Sequence, residues 1–472
     1  MKRFWLVLLS LGLIVAFSTS AMAVDVKFSG EYYAAGLYLD KTTLNKDPIA
    51  LRNNDVSTAF YFQRLRLGTQ FVVSPGLSVI TRADIMERAW GAARSAPGAG
   101  GFLANDIQSA GTRAENENIA FDWAYLSYTS PIGLFNLGYM DDGCWATIFG
   151  NSSLPVGKLT YTLPIGSFIF GLQTGKPVDG ERSAGVVGGT ISAADRDNSF
   201  YTALGIYNWK GGNAGLLLKY VRSASSRNLL GALVASGDYG WETKQYIAVP
   251  YVKAQLGPVA LQAEFTYVTG KAQKFEGTAT AAEIAALAAF GAKAADVDLN
   301  AYSGWIDATA DFGMFYAGGT FAFASGDDLG TADKQEGGLS GGLDWNPCLI
   351  MFNSDLNYWA GNINGYGATA MSGLMTNAYF LQARGGIRPI QKLDISLSYS
   401  WAKAEKSGGV GFDNREYGSE IDLTATYKLT NNLSYMMGAG YWMVGDYYKS
   451  NVLVNNELQN ELMVLNKLTL TF

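Results

Sequence analysis

Arginines stand out in the segment FYFQRLRLG, residues 60–68. Arg64 and Arg66 alternate with Leu65 and Leu67, so an extended strand would point two guanidinium groups to one face and two leucines to the other. Arginine that faces lipid near the middle of a bilayer costs about 2–4 kcal/mol, which favours the polar, water-facing assignment for this pair. Grouped guanidinium ions attract anions, so the first chemistry that the sequence suggests is electrostatic filtering rather than covalent catalysis.

Other charged side chains fall on the polar faces of alternating segments. They are Arg82, Asp84 and Arg88 in residues 77–88, and Lys219, Glu264 and Arg384 in later segments. A short turn joins residues 60–68 to residues 77–88, which predicts that Arg64, Arg66 and Arg82 cluster on one wall. Two interpretations stay open: a basic wall that admits small anions or zwitterions, or charges that are paired with one another and give no selectivity.

The chain contains no histidine. This excludes Ser-His-Asp and Cys-His nucleophilic catalysis, histidine metal sites and histidine haem ligation. The two cysteines, Cys144 and Cys348, form no CxxC or CxxCH motif, and the acidic run GDDLGTADKQE lacks the spacing of a calcium loop. We therefore expect no enzyme activity, no cofactor and no bound metal.

The chain begins with the features of a secretory signal peptide. Basic residues precede a nearly continuous apolar run over residues 4–17, and Ala21-Met22-Ala23 forms a small-x-small cleavage site. We assign residues 1–23 to the signal peptide and residues 24–472 to one exported domain. The formal charge of −6 makes nucleic acid an unexpected partner.

Composition and alternation predict the fold class. Aromatic residues make up 13% of the chain and 56 residues are glycine, yet no second apolar stretch is long enough for a membrane helix. In LDISLSYSW, residues 393–401, the apolar and polar side chains alternate, and the C-terminal NKLTLTF alternates up to Phe472. Transmembrane β-barrels need such strands of about 9–11 residues, with aromatic girdles at both interfaces.

Short and long connections strictly alternate between the amphipathic segments. Gly, Pro and Asn build the short ones, as at Ser74-Pro75-Gly76, and polar or glycine-rich stretches build the long ones. This predicts an all-β, transmembrane, antiparallel up-and-down barrel of about 18 strands, or 16 as the alternative, with short periplasmic turns and long extracellular loops. A barrel of that size encloses a water-filled channel.

Several segments resemble those of Gram-negative outer-membrane porins. The stretch AYLSYTSPIGLFNLGYMDDG, residues 124–143, resembles the porin hairpin that leads into the third extracellular loop, and FQRLRLG resembles an early strand with basic residues in the lumen. Phe472, with Leu470 and Leu468 before it, resembles the C-terminal signal read by the barrel-assembly machinery. The resemblance implies an outer-membrane channel in contact with lipid and lipopolysaccharide. The trimer of the general porins is one oligomeric state that it suggests, although their Pro-Glu-Phe-Gly-Gly motif is absent.

Two long connections are candidates for narrowing the channel. Loop 325–375 is the longest and carries the apolar run WNPCLIMF, which is unfavourable in water, so we expect it to fold into the lumen. Loop 141–156 is the second candidate. Because Cys144 and Cys348 lie in these two loops, a disulfide between them is a further hypothesis. In loop 273–296, the Ala-rich residues 280–296 predict a short helix.

Aromatic residues near the predicted strand ends suit an interfacial girdle; they include Tyr32, Tyr33, Tyr399, Trp401, Tyr441, Trp442, Tyr447 and Tyr448. The predicted function is passive diffusion of small hydrophilic solutes or ions through an outer-membrane barrel. The alternative is a barrel that encloses a multihaem cytochrome, which would have to bring its own haem because this chain has no haem-attachment motif.

Overall fold

The computed structural model describes residues 24–41, 44, 57–91, 119–180, 196–225, 240–276, 295–360, 373–408, 411, 413–449 and 457–472. The predicted signal peptide and nearly all of the predicted helix at 280–296 lie outside the described residues.

Long strands dominate the described chain. The first nine are β1 Asp25–Leu39, β2 Thr58–Ser74, β3 Leu77–Ala89, β4 Ile119–Ser130, β5 Gly133–Asp142, β6 Leu154–Ile165, β7 Phe168–Val178, β8 Asn198–Trp209 and β9 Gly212–Ser223. They are followed by β10 Gly240–Leu256, β11 Val259–Glu276, β12 Val297–Asp311, β13 Phe315–Ala324, β14 Lys334–Gln335, β15 Ala378–Ile390, β16 Leu393–Ala404, β17 Glu416–Lys428, β18 Leu433–Val444 and β19 Glu461–Thr471. The one α-helix in the described residues is α1, Ser354–Ala360, and a 3-10 turn covers Asp446–Tyr448.

Eighteen of these strands form a closed antiparallel wall. Each pairs with the strands beside it, and β1 pairs with β19 from Glu31 opposite Thr471 to Leu39 opposite Met463. The exception is β14, a two-residue strand that pairs in parallel with β12. The predicted all-β up-and-down barrel of about 18 strands is confirmed.

Short and long connections alternate around the barrel. Pro75-Gly76 joins β2 to β3, and Gly76 takes a φ of +81° that a residue with a side chain rarely adopts. At the other rim, the chain between β5 and β6 and the chain between β13 and β15 are long. All the short turns therefore lie at one end of the barrel, together with the start of β1 and the end of β19.

Alternate residues face outward and inward along each strand. In β16, Leu397 and Tyr399 are 54% and 50% exposed on the outer face, whereas Ser400 between its apolar neighbours is fully buried inside. The same rule places Arg64 inward, because it lies opposite the buried Tyr33 of β1. The outer face is thus apolar, as a barrel in lipid requires, and charged side chains such as Arg64 face the lumen.

A bulge in β3 interrupts this alternation. The pairing of β2 with β3 shifts at Met86, whose φ is +52°. Beyond the bulge Glu87 is buried against Arg64, whereas Arg88 lies opposite Gln63 on the outer face. The expected inward placement of Arg88 is therefore wrong, because the extra residue reverses the parity of the strand.

Four of the aromatic residues expected at the interface lie inside the barrel instead. Tyr33, Trp442, Tyr447 and Tyr448 are buried in the main apolar cluster, and their ring contacts are with other inward groups such as Trp359 and Tyr417. The sequence pattern does not separate these residues from interfacial ones, because their burial depends on a loop that folds against them.

No helix in the described residues is long and apolar enough to cross a bilayer.

Candidate functional site

The lumen of the barrel is the candidate site, and two connections fold into it. We call residues 143–153, between β5 and β6, the short inward loop. We call residues 325–360, after β13, the long inward segment. Together they decide which part of the wide lumen stays open.

The long inward segment packs on the inner wall through its apolar run. Ile350, Met351 and Phe352 are fully buried, and the Phe352 ring meets Phe380 of β15 and Tyr417 of β17 edge to face at 5.8 Å. Burial of several large side chains, at about 1.5–3 kcal/mol each, holds the segment inside the barrel.

Helix α1 ends the long inward segment farther along the inner wall, at β1 and β2. Asn353 caps it by accepting a hydrogen bond from the Leu356 amide at 2.8 Å. Trp359 stacks on Phe62 of β2 with ring centroids 4.3 Å apart and meets Tyr33 of β1 edge to face at 6.4 Å. This part of the segment therefore follows the inner wall from β15, past β17, to β1 and β2.

Two inward-facing glutamates bind the backbone of the inward connections. Glu420 of β17 accepts hydrogen bonds from the amides of Ile350 and Met351 at 2.7 and 2.6 Å. Glu264 of β11 accepts the Thr147 hydroxyl at 2.6 Å and the Thr147 amide at 3.3 Å. Both carboxylates are buried, and each satisfies donors that the non-regular backbone would otherwise leave unpaired.

The short inward loop crosses toward β10–β12. Trp145 donates to the Val249 carbonyl at 3.0 Å, and Phe149 stacks on Trp305 at 6.0 Å. A backbone hydrogen bond also joins the two inward connections, because the Gly342 amide donates to the Phe149 carbonyl at 2.6 Å. The two connections thus form one continuous partition across the lumen.

The predicted arginine cluster is assembled, but every member is paired. Arg66 makes two hydrogen bonds to Asp84, at 2.7 and 2.6 Å. Arg64 contacts Glu87 at 3.4 Å and Glu31 at 3.5 Å. This arrangement is a network of alternating charges on β1, β2 and β3 rather than an open basic wall.

Arg82 extends the network toward β4 and β5. Its guanidinium group binds both oxygens of Asp122, contacts Asp141 at 3.3 Å and lies 3.7 Å from the Trp123 ring. Three arginines therefore meet five carboxylates, those of Glu31, Asp84, Glu87, Asp122 and Asp141. Among the described residues of this wall, acids outnumber bases.

The other predicted charges lie at separate places on the inner wall. Lys219 of β9 binds Asp142 at 2.7 Å, and Lys158 binds the second oxygen of the same carboxylate at 3.2 Å. Arg384 of β15 forms a two-point ion pair with Asp307 of β12, both contacts at 2.7 Å. With Glu264 bound to the short inward loop, these residues do not gather into one site with the arginines.

Two cavities beside the partition contain predicted site residues. The larger measures about 620 Å³ and lies against β1–β4, where Arg64, Arg66 and Asp84 line it together with Asp344 and Asp355 of the long inward segment. The smaller measures about 240 Å³ and is lined by Lys158, Lys219, Glu264 and Trp145. The alternation pattern does not identify Asp344 or Asp355, because both lie in a connection and only the folded segment brings them to the arginines.

Both cysteines are free in the structure. Cys144 is exposed and Cys348 is buried, so the hypothesised disulfide between the two inward connections is not formed. Direct hydrogen bonds, such as that from Ser153 to Asp344 at 2.8 Å, join the connections instead. No group of His, Cys, Asp and Glu in the described residues could hold a metal ion.

No protein-family model matches the chain, and no curated protein sequence matches it either. Solved structures do match over nearly the whole length. OccK2 (OpdF) of Pseudomonas aeruginosa is 12% identical with a TM-score of 0.51, covering 95% of this chain and 98% of that one. OccK9 (OpdG) of the same organism is 15% identical with a TM-score of 0.50, covering 95% and 99%. The outer membrane channel DcaP of Acinetobacter baumannii is 10% identical with a TM-score of 0.44, covering 96% and 99%.

These structural neighbours are outer-membrane porins. The chain is a closed antiparallel barrel of 18 strands, and its likeness to the two OccK structures is one of fold. The alternative of a sheath around a multihaem cytochrome gains no support. A sheath needs an empty lumen, whereas the short inward loop and the long inward segment occupy this one.

We predict that both thiols are free in the unreduced protein and differ in reactivity. Burial raises the pKa of the Cys348 thiol well above its ordinary value and shields it, so a small maleimide should modify Cys144 alone in the folded barrel. Mass spectrometry before and after unfolding measures this, with Cys144→Ser as the control that removes native labelling. A disulfide-linked peptide pair would contradict the prediction.

We also predict that Glu420→Ala releases the long inward segment while the barrel stays folded. Loss of the acceptor leaves two buried amides unpaired, at about 1–3 kcal/mol each. Limited proteolysis in detergent should then cut within residues 325–360, and cutting should be weaker in Glu420→Gln, which keeps one accepting oxygen. Equal resistance of wild type and Glu420→Ala would show that the apolar contacts alone hold the segment.

Proposed function

We propose that this protein is a passive porin of the Gram-negative outer membrane, through which small hydrophilic solutes and ions diffuse. One observation carries the proposal. The barrel has an apolar outer wall and charged side chains in its lumen, and its own inward connections narrow that lumen without filling it. The likeness in fold to outer-membrane porins supports the same function. Such a channel performs no covalent chemistry, and its width and charge select the solutes.

The paired charges support weak selectivity rather than an anion filter. Each arginine of the cluster contacts at least one carboxylate, and the acids are in excess on that wall. The sequence leaves open a basic wall that admits anions or a set of charges paired with one another. We propose the second, in which the channel has only a modest preference for cations. The groups of the constriction are those that line the 620 Å³ cavity.

The remaining partners follow from the outer surface and the C-terminus. We propose that the apolar outer face contacts lipid and lipopolysaccharide, and that the barrel-assembly machinery reads Phe472. The terminal residue completes the barrel seam, because Phe472 and Gly30 exchange backbone hydrogen bonds at 2.8 and 3.0 Å. We also propose a homotrimer. This proposal rests only on the resemblance of segments of this sequence to those of porins.

Conductance in a planar bilayer tests the channel function directly. The purified barrel should give stable ohmic steps in potassium chloride, and the variant Arg64→Ala with Arg66→Ala should shift the reversal potential in a salt gradient toward cations. The shift follows because Asp84, Glu87 and Glu31 then lose their partners. The charge-conserving variant Arg64→Lys with Arg66→Lys serves as the control. An unchanged reversal potential in the alanine variant removes these arginines from the selectivity region, and no conductance in wild type rejects the porin.

Deletion of Phe472 separates assembly from conduction. We expect the amount of folded protein in the outer membrane to fall several-fold, while single channels that do form keep the wild-type conductance, because Phe472 lies at the rim and not in the lumen. Heat-modifiable mobility on gels measures folding, and Phe472→Tyr keeps the aromatic ring as the control. Wild-type yield after the deletion would contradict the proposed role in assembly.

A further inference from the structure

The 620 Å³ cavity contains charges of both signs that have no ion-pair partner among the described residues. Most charged groups around it are matched: Arg66 binds Asp84, Arg64 binds Glu87, and Asp122 binds Arg82. In the described part of the chain, Lys467 and Asp355 make no hydrogen bond or ion pair through their side chains, although both line the cavity. Asp344 accepts one hydrogen bond from Ser153 and has no cationic partner among those residues.

The unpaired cation lies on the wall. Lys467 of β19 faces inward, and its ammonium nitrogen lies 4.3 Å from the centroid of the Tyr33 ring. Arg64 lies over the same ring at 5.0 Å, so Tyr33 stands between the two cations. The ring contact holds the lysine in place while its hydrogen-bond donors remain available to a ligand.

The unpaired acids lie on the partition that faces this wall. Asp355 is exposed to the cavity, and it is one helical turn before Trp359, the residue that packs on Tyr33 and Phe62. Surrounding protein and the nearby Asp344 raise the pKa of Asp355, whereas Lys467 and Arg64 oppose that rise. The charge of Lys467 thus affects the pKa of Asp355, although the two side chains do not form an ion pair.

A third surface of the cavity is apolar. Met436, Met463, Leu465 and Trp359 line it beside the two sets of charges. A solute that fits all three surfaces carries an anionic group, a cationic group and an apolar substituent. A simple anion would face unpaired Asp344 and Asp355, and a simple cation would face unpaired Lys467, so each would be repelled by part of the site.

We propose that this cavity is a binding site for small amphiphilic zwitterions, such as apolar α-amino acids, on their way through the lumen. The solute carboxylate binds Lys467, the solute ammonium binds Asp355 and Asp344, and the side chain contacts Trp359 and the methionines. This inference rests on the proposed function, because a solute reaches the site only if the barrel is a diffusion channel. It adds to that function a ligand class and the residues that recognise it.

Three probes with one carbon skeleton test the site. Phenylalanine carries both charges, 3-phenylpropionate carries only the carboxylate, and phenethylamine carries only the ammonium. Each is added to the wild-type channel in a planar bilayer in potassium chloride, and the concentration that half-blocks the current is measured. Phenylalanine should block at a concentration about fivefold lower than either singly charged probe, since each partly buried charge contact contributes about 1 kcal/mol.

Two variants test separately how the site recognises the ammonium and the carboxylate of the solute. Asp355→Asn should weaken block by phenylalanine and phenethylamine about fivefold and leave 3-phenylpropionate unaffected or improved. Lys467→Gln should weaken block by phenylalanine and 3-phenylpropionate and spare phenethylamine. Asp298→Asn is the matched control, because this exposed carboxylate pairs with Lys271 and does not line the cavity. Heat-modifiable mobility shows that each variant has folded.

The outcomes separate this inference from the porin itself. If the wild-type protein conducts ohmically but phenylalanine blocks it no better than the singly charged probes, the zwitterion site is overturned and the channel function is retained. The site is overturned in the same way if neither variant changes the order of the three probes, since Lys467 and Asp355 would then be satisfied by each other or by water. Absence of conductance in wild type rejects the channel, and with it the inference that depends on it.

Discussion

The closure of the hydrogen-bond ladder is the constraint on which the rest of this structure depends. A backbone that crosses an apolar layer cannot leave its N–H and C=O groups unpaired, and an open sheet always has two unpaired edges. Here the pairing of β1 with β19 removes both edges, and Phe472 completes the seam with its bonds to Gly30. Once the sheet is closed, alternation gives the strands an apolar outer face, and the inner face carries both the charged network and the apolar cluster that the inward connections cover.

Closure of 18 strands creates a second problem, because the lumen is too wide for wall side chains to fill. The chain solves it with the short inward loop and the long inward segment. Their non-regular backbones bring unpaired amides into the barrel, and the buried carboxylates of Glu264 and Glu420 accept hydrogen bonds from them. These glutamates are therefore part of the architecture of the constriction, although by position alone they look like any other charge in a polar lumen.

The same folding explains the electrostatics. Arginines on adjacent strands repel one another unless carboxylates stand between them, and the network of Arg64, Arg66 and Arg82 with five acids meets this need. Charges that are fully paired contribute little to selection. Under the proposed function, selection then falls to groups that have no partner among the described residues, and in the larger cavity these are Lys467 and Asp355.

The sequence by itself determined the barrel, a strand number of about 18 with 16 as the alternative, the positions of the turns and the inward direction of Arg64, Arg66 and Arg82, because alternation with period two and turn residues are local properties. Tertiary structure alone decided the rest. The bulge at Met86 turned Arg88 outward, the folded segment buried Tyr33 and Trp442 inside, and the partition brought Asp344 and Asp355 to a wall that lies far away in sequence. These features depend on which surfaces meet across the lumen, and that is fixed by packing between distant segments rather than by the neighbours of each residue in the chain.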